Sequence, residues 1–395
     1  MDFKEKTNSF VSNYFDIKKE IKKAIKEKSI TFGSGGSSNI IILRPDYAIK
    51  VIPDIKNFLL KVKPNNDYLE SEIYKKLTQD YLLTNRTPHI VGLYKKYILE
   101  DILIALPHKC LTLDERIILP YHKRDDINER LCDVKKSYYE KQIDKKATII
   151  ILENCPTTIS EQLQFLLGKK QKIEEKVHNF NMFIRRVLFQ FMLTLGKIQQ
   201  DYPDFIHNDL FLRNILAVSV VEFEPIDYVE YNHLGRKYYL PANGIYIKLN
   251  DFGYSLNLLN RNSTLENEIK QTTSTTNFEI QNPLRDTYTF LFDLYDGPGV
   301  GSQSVKTVIT NQIKDINHKK ILMANLRKQI GLFFNYKLID KIHSNNAGSL
   351  DWLWNISESK ILMGTVKKPN DYFKLKLFNS LMILPDNCRV VKIYK

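Results

Sequence analysis

Short apolar runs separated by glycine, proline and aspartate turns dominate the first 155 residues, and this pattern predicts β-strands. The runs are Ile41–Leu43, Tyr47–Ile52, Ile90–Leu99 and Thr148–Leu152. Apolar residues recur three or four positions apart over residues 1–30 and over Asp67–Gln79, which predicts one helix in each segment. Residues 101–147 are charged and irregular, so we expect an insertion there.

Helical spacing replaces the strand pattern in the second half of the chain. Thr158 is placed to cap a helix over Ile159–Leu167, and a longer, half-buried helix is predicted over Val177–Gln200. A tyrosine-rich segment leads to the strand Ile245–Leu249, and helical patterns resume from Arg285. The pattern as a whole places strands mainly in the first part of the chain and helices mainly in the second.

Composition and charge fit a folded protein of two lobes. The 395 residues are 43% hydrophobic and 26% charged, which is ordinary for a globular chain. Lysine and arginine outnumber aspartate and glutamate by 58 to 45, which gives a net charge of +13. An AT-rich genome explains this lysine-rich balance as well as an acidic or nucleic-acid partner does. Because no nucleic-acid reading module accompanies it, the charge by itself does not indicate a nucleic-acid partner.

Targeting signals and cysteine usage favour an intracellular protein. No apolar run approaches the roughly 18 residues that a membrane-spanning helix needs. The first five residues lack the basic and then apolar pattern of a signal peptide. The four cysteines are far apart and form no C-x-x-C pair. We therefore expect reduced thiols rather than disulfides or a zinc site.

A glycine turn and a buried charge in the first part of the chain are candidates for phosphate chemistry. The turn Gly33-x-Gly35 is a weak signal alone, because glycine turns between strands are common. Lys50 lies in an apolar strand, where burying its charge is unfavourable unless an anion pairs with it. Glu70, on the apolar face of the predicted helix, is the candidate partner, and Glu72 is the less well-spaced alternative.

The strongest chemical signal is an aspartate and an asparagine five residues apart, Asp209 and Asn214, within the segment Ile206–Leu216. Phosphoryl transfer needs a carboxylate that orients the attacking hydroxyl and an oxygen donor that helps to hold a metal. A simple Asx-rich turn is the structural alternative, but it leaves the apolar frame of the segment unexplained. Asp251 begins an Asp-Phe-Gly sequence directly after an apolar strand and supplies a second hard oxygen ligand for Mg²⁺.

Taken in order, these residues resemble the eukaryotic-type protein kinase family from about Thr31 to the end of the chain. The resemblance implies an α+β, bilobal fold, with an antiparallel-sheet N-lobe over 1–153 that includes an N-terminal helical extension, and a mainly helical C-lobe over 154–395. Three segments depart from the family core: an insertion at 101–147, an insertion at about 217–244 and a mobile loop at about 254–284. The implied cofactors are ATP and Mg²⁺, with Mn²⁺ as an alternative metal. The implied acceptor is a protein hydroxyl, of serine or threonine rather than tyrosine.

The resemblance also implies roles for single residues. Lys50 would hold the α- and β-phosphates of ATP, and Glu70 would pair with it. Asp209 would be the catalytic base, and Asn214 and Asp251 would bind the metal. The other nucleotide-binding candidates are Gly33, Gly35, Ser38 in place of a third glycine, Ile40 over the adenine, Ala48, the gatekeeper Leu152, and Glu153 and Cys155 through their backbone groups.

Several departures from the family pattern bear on activity. Asn208 stands where an arginine that receives a loop phosphate is usual, which weakens the case for activation by phosphorylation of residues 260–283. Serine/threonine kinases of the family usually have a lysine two residues after the base, where this chain has Phe211. Arg213 is the candidate for the missing positive charge. The alternative is that Arg213 contacts only solvent or a backbone carbonyl. No A-P-E sequence follows the Asp-Phe-Gly sequence at Asp251. Asp286 is the candidate for the buried aspartate of the next helix.

The His-Asn-Asp sequence and the richness in lysine, asparagine and isoleucine resemble the protein kinases of large DNA viruses, including poxvirus virion kinases. That resemblance implies a protein substrate, acidic or part of a virion, and a location in the host cytoplasm or the virion. A small-molecule phosphotransferase of the aminoglycoside or choline type is one alternative, disfavoured by the Asp-Phe-Gly sequence. A catalytically weak pseudokinase scaffold is another, disfavoured because the lysine, the asparagine and both aspartates are present. The oligomeric state stays open.

Overall fold

The structure, a computed structural model, divides into two compact units. It describes residues 16–27, 30–32, 40–55, 66–106, 126–140, 143–259, 282–297, 303–337 and 365–395. The first unit takes in Met1–Thr78 and Val91–Asn154, and the second takes in Gln79–Ile90 and Cys155–Lys395. Most of the loop expected at about 254–284 lies outside the described residues.

A five-stranded antiparallel sheet forms the frame of the first unit. Its strands, β1 to β5, cover Ile30–Phe32, Ile40–Leu43, Tyr47–Ile55, Leu93–Leu99 and Ile143–Glu153. Their order is β1-β2-β3-β5-β4, and every neighbouring pair is antiparallel. The four predicted strands are therefore confirmed, although β4 begins later than Ile90 and β5 begins earlier than Thr148.

Three helices accompany this sheet. Helices α1 to α3 cover Ile17–Glu27, Asn66–Leu77 and Asp126–Tyr139. Helix α1 is tied to the sheet by Arg44, whose guanidinium donates to Glu20 over 3.0 Å and to Glu27 over 2.9 Å. Helix α2 confirms the helix predicted over Asp67–Gln79 and passes into a π-helical turn at Thr78–Leu82.

The expectation that residues 101–147 are irregular is wrong for α3 and for the start of β5. Leu131 and Val134 of α3 are buried in the aliphatic core of the unit. The charged residues around them obscured this spacing in the sequence. Cys132, on the same helix, is disulfide-bonded, so the expectation of reduced thiols is wrong for this residue.

The second unit is mainly helical. Its helices, α4 to α9, cover Ile159–Gly168, Ile173–Asp201, Leu284–Asp296, Val305–Gln312, Ile316–Ile330 and Lys376–Asn379. Thr158 caps α4 in a capping box with Glu161, as the sequence predicted. Helix α5 packs against α4, α8 and the strand that leads to Asp251. The predicted α+β class, with an antiparallel sheet first and helices later, is confirmed.

Two small sheets complete the second unit. Strands β6 to β11 cover Thr157–Thr158, Ile215–Val220, Asp227–His233, Arg236–Pro241, Gly244–Leu249 and Arg389–Tyr394. One sheet has the order β10-β7-β6, and the other has the order β11-β8-β9, with β11 parallel to β8. The segment expected as an insertion at about 217–244 is therefore folded, and Tyr231 and Tyr238 bury their rings beside Phe189 of α5. No helix among the described residues is long and apolar enough to cross a membrane.

Candidate active site

The predicted ion pair between Lys50 and Glu70 is present in the first unit. Nζ of Lys50, on β3, donates to both carboxylate oxygens of Glu70, on α2, over 2.8 and 2.9 Å. Both side chains are buried. Glu72, the alternative partner, instead accepts a hydrogen bond from Lys96 over 3.1 Å. Because an unpaired charge at this depth is strongly unfavourable, the pairing fixes the ammonium group in place.

The register of the sheet determines which side chains share the face of Lys50. Lys50 lies opposite Ile150 in the β3–β5 pair, and Ala48 lies opposite Leu152. In the β2–β3 pair, Ile41 lies opposite Lys50. Directly opposed residues of antiparallel strands project to the same side. The sheet therefore brings Ala48, Leu152 and Ile41 to the face that carries the lysine.

Ile40, predicted to lie over the adenine, does not share the face of the sheet that carries Lys50. Ile40 pairs with Val51, one step out of phase with Lys50, and is fully buried in the aliphatic core on the opposite face. Since successive side chains of a strand alternate between faces, Ile41 rather than Ile40 shares the face of Lys50. Every residue of Ile40–Leu43 is apolar, so the hydrophobic pattern could not distinguish the two faces.

The chain leaves the sheet through Glu153 and reaches Cys155 two residues later. The backbone N–H of Glu153 donates to the carbonyl oxygen of Gly92 over 2.8 Å. That N–H is therefore engaged within the sheet, and the carbonyl oxygen of Glu153 is the candidate contact for a nucleotide. Cys155 is buried and forms no disulfide. The remaining nucleotide-binding candidates, Gly33, Gly35 and Ser38, lie outside the described residues.

A loop of the second unit, residues 207–214, carries the catalytic candidates. Its first residues are held by Asp286 of α6, whose carboxylate accepts the backbone N–H of His207 over 2.6 Å and that of Asn208 over 2.9 Å. Asn208 has a left-handed backbone with φ of 70°, which asparagine tolerates better than most residues. Asp286 is buried, as predicted, and burial raises its pKa to about 7.

Asp209 accepts hydrogen bonds from the side chains of Arg213 and Asn214. Nδ2 of Asn214 donates to Oδ2 of Asp209 over 2.7 Å and to its carbonyl oxygen over 2.8 Å. Nη2 of Arg213 donates to Oδ1 of Asp209 over 2.5 Å. Cζ of Arg213 lies 4.5 Å from the centroid of the Phe211 ring. The alternative in which Arg213 contacts only solvent or a backbone carbonyl is therefore wrong.

The electrostatics around Asp209 suit a proton acceptor. Burial raises the pKa of Asp209 above its ordinary value, and the negative charge of Asp251 adds to the rise. The charge of Arg213 and the hydrogen bonds from Arg213 and Asn214 oppose it. A carboxylate with a raised pKa accepts a proton more readily than an ordinary surface aspartate.

Asp251 lies just after the end of β10, next to Asn250, which contacts the loop of residues 207–214. It has a left-handed φ of 62°, and the ring of the next residue, Phe252, packs 4.8 Å from the ring of His207. Burial lowers the pKa of His207 to about 4, so its imidazole is neutral and donates from Nε2 to the carbonyl oxygen of Asn250 over 3.0 Å. The N–H of Asn250 donates in turn to the carbonyl oxygen of Asn214 over 3.0 Å. This link joins the two segments that carry the metal-ligand candidates.

The donor chemistry of Asn214 and Asp251 fits a magnesium ion. Both Nδ2 bonds of Asn214 run to Asp209, which orients the amide so that its oxygen can face a cation. Within the described residues, no group of three or more His, Cys, Asp or Glu side chains could hold a metal ion. Mg²⁺ does not require such a cage, because it is usually bound by one or two side chains together with substrate phosphates and water.

Sequence reasoning missed two charged residues beside this loop. Burial lowers the pKa of Arg285, and the charges of Asp286 and Asp209 oppose that shift. Oδ2 of Asp293 accepts the backbone N–H of Leu212 over 2.6 Å, across 81 residues of sequence. No local motif connects residues so far apart. The seven-residue spacing of Asp286 and Asp293 on one helix was the only available signal that they share a face.

Two curated proteins of Acanthamoeba polyphaga mimivirus are similar to the chain. A candidate serine/threonine-protein kinase is 32% identical over 378 residues, which cover 92% of this chain and 92% of the relative. A second candidate serine/threonine-protein kinase is 23% identical over 215 residues, covering 53% of this chain and 42% of that protein. A crystallised kinase domain aligns with 89% of this chain and 96% of its own length, at 15% identity and a TM-score of 0.32. No family model matches the chain.

Proposed function

Because this chain belongs to the serine/threonine-protein kinase family, we propose that it transfers the γ-phosphoryl group of ATP to a serine or threonine hydroxyl of a protein. The observation that carries this proposal is the pair of hydrogen bonds from Asn214 and Arg213 to the two carboxylate oxygens of Asp209. A carboxylate held at both oxygens has a fixed direction. A group needs such a fixed direction if it is to orient one hydroxyl.

The residues of the second unit divide the chemistry among them. Asp209 orients the acceptor hydroxyl and takes its proton. Asn214 and Asp251 hold the metal ion through oxygen atoms, and Arg213 places a positive charge beside the carboxylate. ATP with Mg²⁺ supplies the phosphoryl group and neutralises its charge when bound.

The first unit supplies the nucleotide contacts. Lys50, held by Glu70, contacts the α- and β-phosphates of ATP, and Ala48, Leu152 and Ile41 offer apolar contact to the adenine. The carbonyl oxygen of Glu153 and the backbone N–H of Cys155 contact the polar edge of the base. Gly33, Gly35 and Ser38 are proposed to cover the phosphates.

A protein acceptor is favoured over a small alcohol by the viral relative that spans nearly the whole chain. An acidic protein is the first class of acceptor to test, because the net charge of +13 favours its association with the chain. A pseudokinase scaffold is disfavoured, since the Lys50–Glu70 pair and the hydrogen bonds around Asp209 are intact.

The test is a transfer assay on the purified chain with γ-labelled ATP and Mg²⁺, repeated with Mn²⁺. The acceptors are an acidic protein, a basic protein, an aminoglycoside and choline. We expect label on protein, in phosphoserine or phosphothreonine after acid hydrolysis, with more on the acidic than on the basic acceptor. Label found only on a small alcohol would favour the small-molecule phosphotransferase, and no label on any acceptor would favour the scaffold.

A further inference from the structure

The short helical turn that carries Arg213 and Asn214 lacks a cap of its own. It is a 3₁₀ turn, Leu212–Asn214, and the residue before it, Phe211, makes no side-chain hydrogen bond to it. The first N–H groups of any helix have no partner inside the helix and need an outside acceptor. Serine, threonine, aspartate or asparagine at the preceding position usually provides one. Phenylalanine has no atom that can do so.

Asp293 of α6 provides the missing acceptor. Its Oδ2 accepts the backbone N–H of Leu212 over 2.6 Å. Leu212 is fully buried and Asp293 is 3% exposed, so water does not compete for this bond. A buried N–H without an acceptor would lose about 1–3 kcal/mol. The contact therefore fixes the start of the turn from a helix that lies 81 residues further along the chain.

Asp286 makes the equivalent contact at the other end of the loop. It lies two helical turns before Asp293 on α6, so the two carboxylates project from the same face of that helix. Asp286 accepts the N–H groups of His207 and Asn208, and Asp293 accepts that of Leu212. Together they hold the backbone on both sides of Asp209.

Gly297, at the end of α6, is adapted to this position of Asp293. A Cβ atom built on Gly297 would overlap Oδ1 and Cγ of the aspartate and would lie 2.7 Å from its Cα. The φ of Gly297 is −61°, which any residue can adopt, so the close approach of Asp293 is the reason for glycine here. A larger residue at 297 would force the side chain of Asp293, or the backbone at the end of α6, to shift and would disturb the contact with Leu212.

We propose that Asp293 is a positioning residue for phosphoryl transfer, which sets the turn that carries Arg213 and Asn214 against Asp209. The proposal rests on the proposed function, because it assigns Asp293 to the same reaction. Asp293 does not touch the reacting groups. It acts through the backbone of Leu212, and displacement of that backbone moves the two side chains that grip Asp209.

The test uses Asp293→Leu, Asp293→Asn and Gly297→Ala in the full chain. Asp296→Asn is the matched control, since Asp296 lies on the same helix but pairs with Lys306. Two readouts are measured: amide hydrogen exchange in a peptide spanning 207–216, and kcat with KM for ATP. The exchange readout does not require an active enzyme.

We expect Asp293→Leu to accelerate exchange in the 207–216 peptide and to lower kcat by roughly 10–10²-fold, the scale of a misplacement of about 1 Å. KM for ATP should change less than about twofold, because the change alters orientation rather than nucleotide binding. Asp293→Asn keeps an acceptor oxygen and should retain more of the activity than Asp293→Leu. Gly297→Ala should reproduce the loss although the aspartate is still present.

Three outcomes decide between the claims. A kcat of Asp293→Leu within threefold of the active wild type would overturn the positioning role alone, and unchanged exchange would overturn the contact itself. If Asp293→Leu does not fold, Gly297→Ala gives the same decision. Absence of transfer by the wild type would overturn the proposed function, whereas the exchange data would still decide whether Asp293 holds Leu212.

Discussion

The guanidinium of Arg213 donates to the carboxylate of Asp209 across 2.5 Å and lies over the ring of Phe211. The ion pair is partly buried, with 23% of the arginine side chain and 15% of the aspartate side chain exposed. It places a permanent positive charge beside the group that we propose as the base. In the family pattern a lysine two residues after the base supplies that charge, and here Phe211 occupies the position.

Arg213→Ala tests whether this arginine replaces the missing lysine. We expect kcat to fall by roughly 10–10³-fold, the scale of losing one donor that stabilises the transition state. The double change Phe211→Lys, Arg213→Ala should restore part of the loss, because it returns a cation at the position usual for the family. Both values are measured with saturating ATP and Mg²⁺.

An unaffected Arg213→Ala enzyme would rule out the surrogate role. A loss that the added lysine does not relieve would instead limit Arg213 to holding Asp209, which requires the guanidinium geometry seen here. Arg185→Ala is a suitable control, because among the described residues Arg185 of α5 donates only to the hydroxyl of Ser380, and it lies away from Asp209 in sequence.

Lys50→Met should both abolish transfer and destabilise the fold. The substitution leaves Glu70 buried without its ammonium partner, and loss of one member of a buried pair lowers the free energy of unfolding by about 3–5 kcal/mol. Lys50→Met, Glu70→Leu should recover much of that stability and still transfer no phosphate. Urea unfolding and the labelled-ATP assay measure the two effects separately.

Lys96→Met provides the matched control for Lys50. Lys96 pairs with Glu72, and both side chains are at least 20% exposed. A partly exposed pair of this kind contributes about 0–1 kcal/mol, so this change should alter stability little and leave transfer intact. If the two lysine changes lowered the free energy of unfolding equally, the prediction that the buried Lys50–Glu70 pair contributes more to stability would be wrong.

His233 should make stability depend on pH. Burial lowers its pKa to about 4, and the charges of Lys197 and Arg86 act in the same direction. An unfolded histidine has a pKa of about 6.5, so between about pH 6.5 and 4 the unfolded state binds the proton that the folded state excludes. Stability contributed by the neutral ring is therefore lost as the pH falls through this range.

His233→Gln removes that dependence. Glutamine keeps a donor towards Asn370, which Nε2 of His233 contacts over 2.9 Å. The stability advantage of the wild type over the variant should shrink by roughly 2 kcal/mol between pH 7.5 and 4.5. Urea unfolding at both pH values measures it. If the wild type keeps the same stability advantage over His233→Gln at both pH values, His233 is not buried as a neutral ring.

Sequence alone predicted the features that depend on local signals or on short motifs. The cap at Thr158, the apolar strands and the Lys50–Glu70 pair all belong to this class. The viral relatives also confirm the resemblance to protein kinases of viruses. Each of these features is encoded by residue types close together in sequence or at a spacing that one element imposes.

The features that sequence missed depend on contacts between distant segments. Ile40 and Ile41 are equally apolar, and only the pairing of β2 with β3 determines that Ile41 shares the face of Lys50. Strand β11 completes its sheet by pairing with β8, which lies more than 150 residues earlier. Asp293 lies on a helix that is buried over most of its length, and only its contact with Leu212 shows why an aspartate occupies this position. No local pattern in the chain carries this information.

The central claim is that Asp209 acts as the base in phosphoryl transfer to a protein hydroxyl, and Asp209→Asn tests it most directly. The measurement is kcat for label transfer to the best protein acceptor, with ATP affinity determined on the same protein by equilibrium binding. Asp204→Asn, an exposed position just before the loop, is the matched control. We expect Asp209→Asn to lose roughly 10²–10⁴-fold in kcat with ATP affinity largely unchanged, because the base is lost while the phosphate contacts remain. Retention of more than about a tenth of the wild-type kcat, well above the range expected for losing a base, would contradict the assignment.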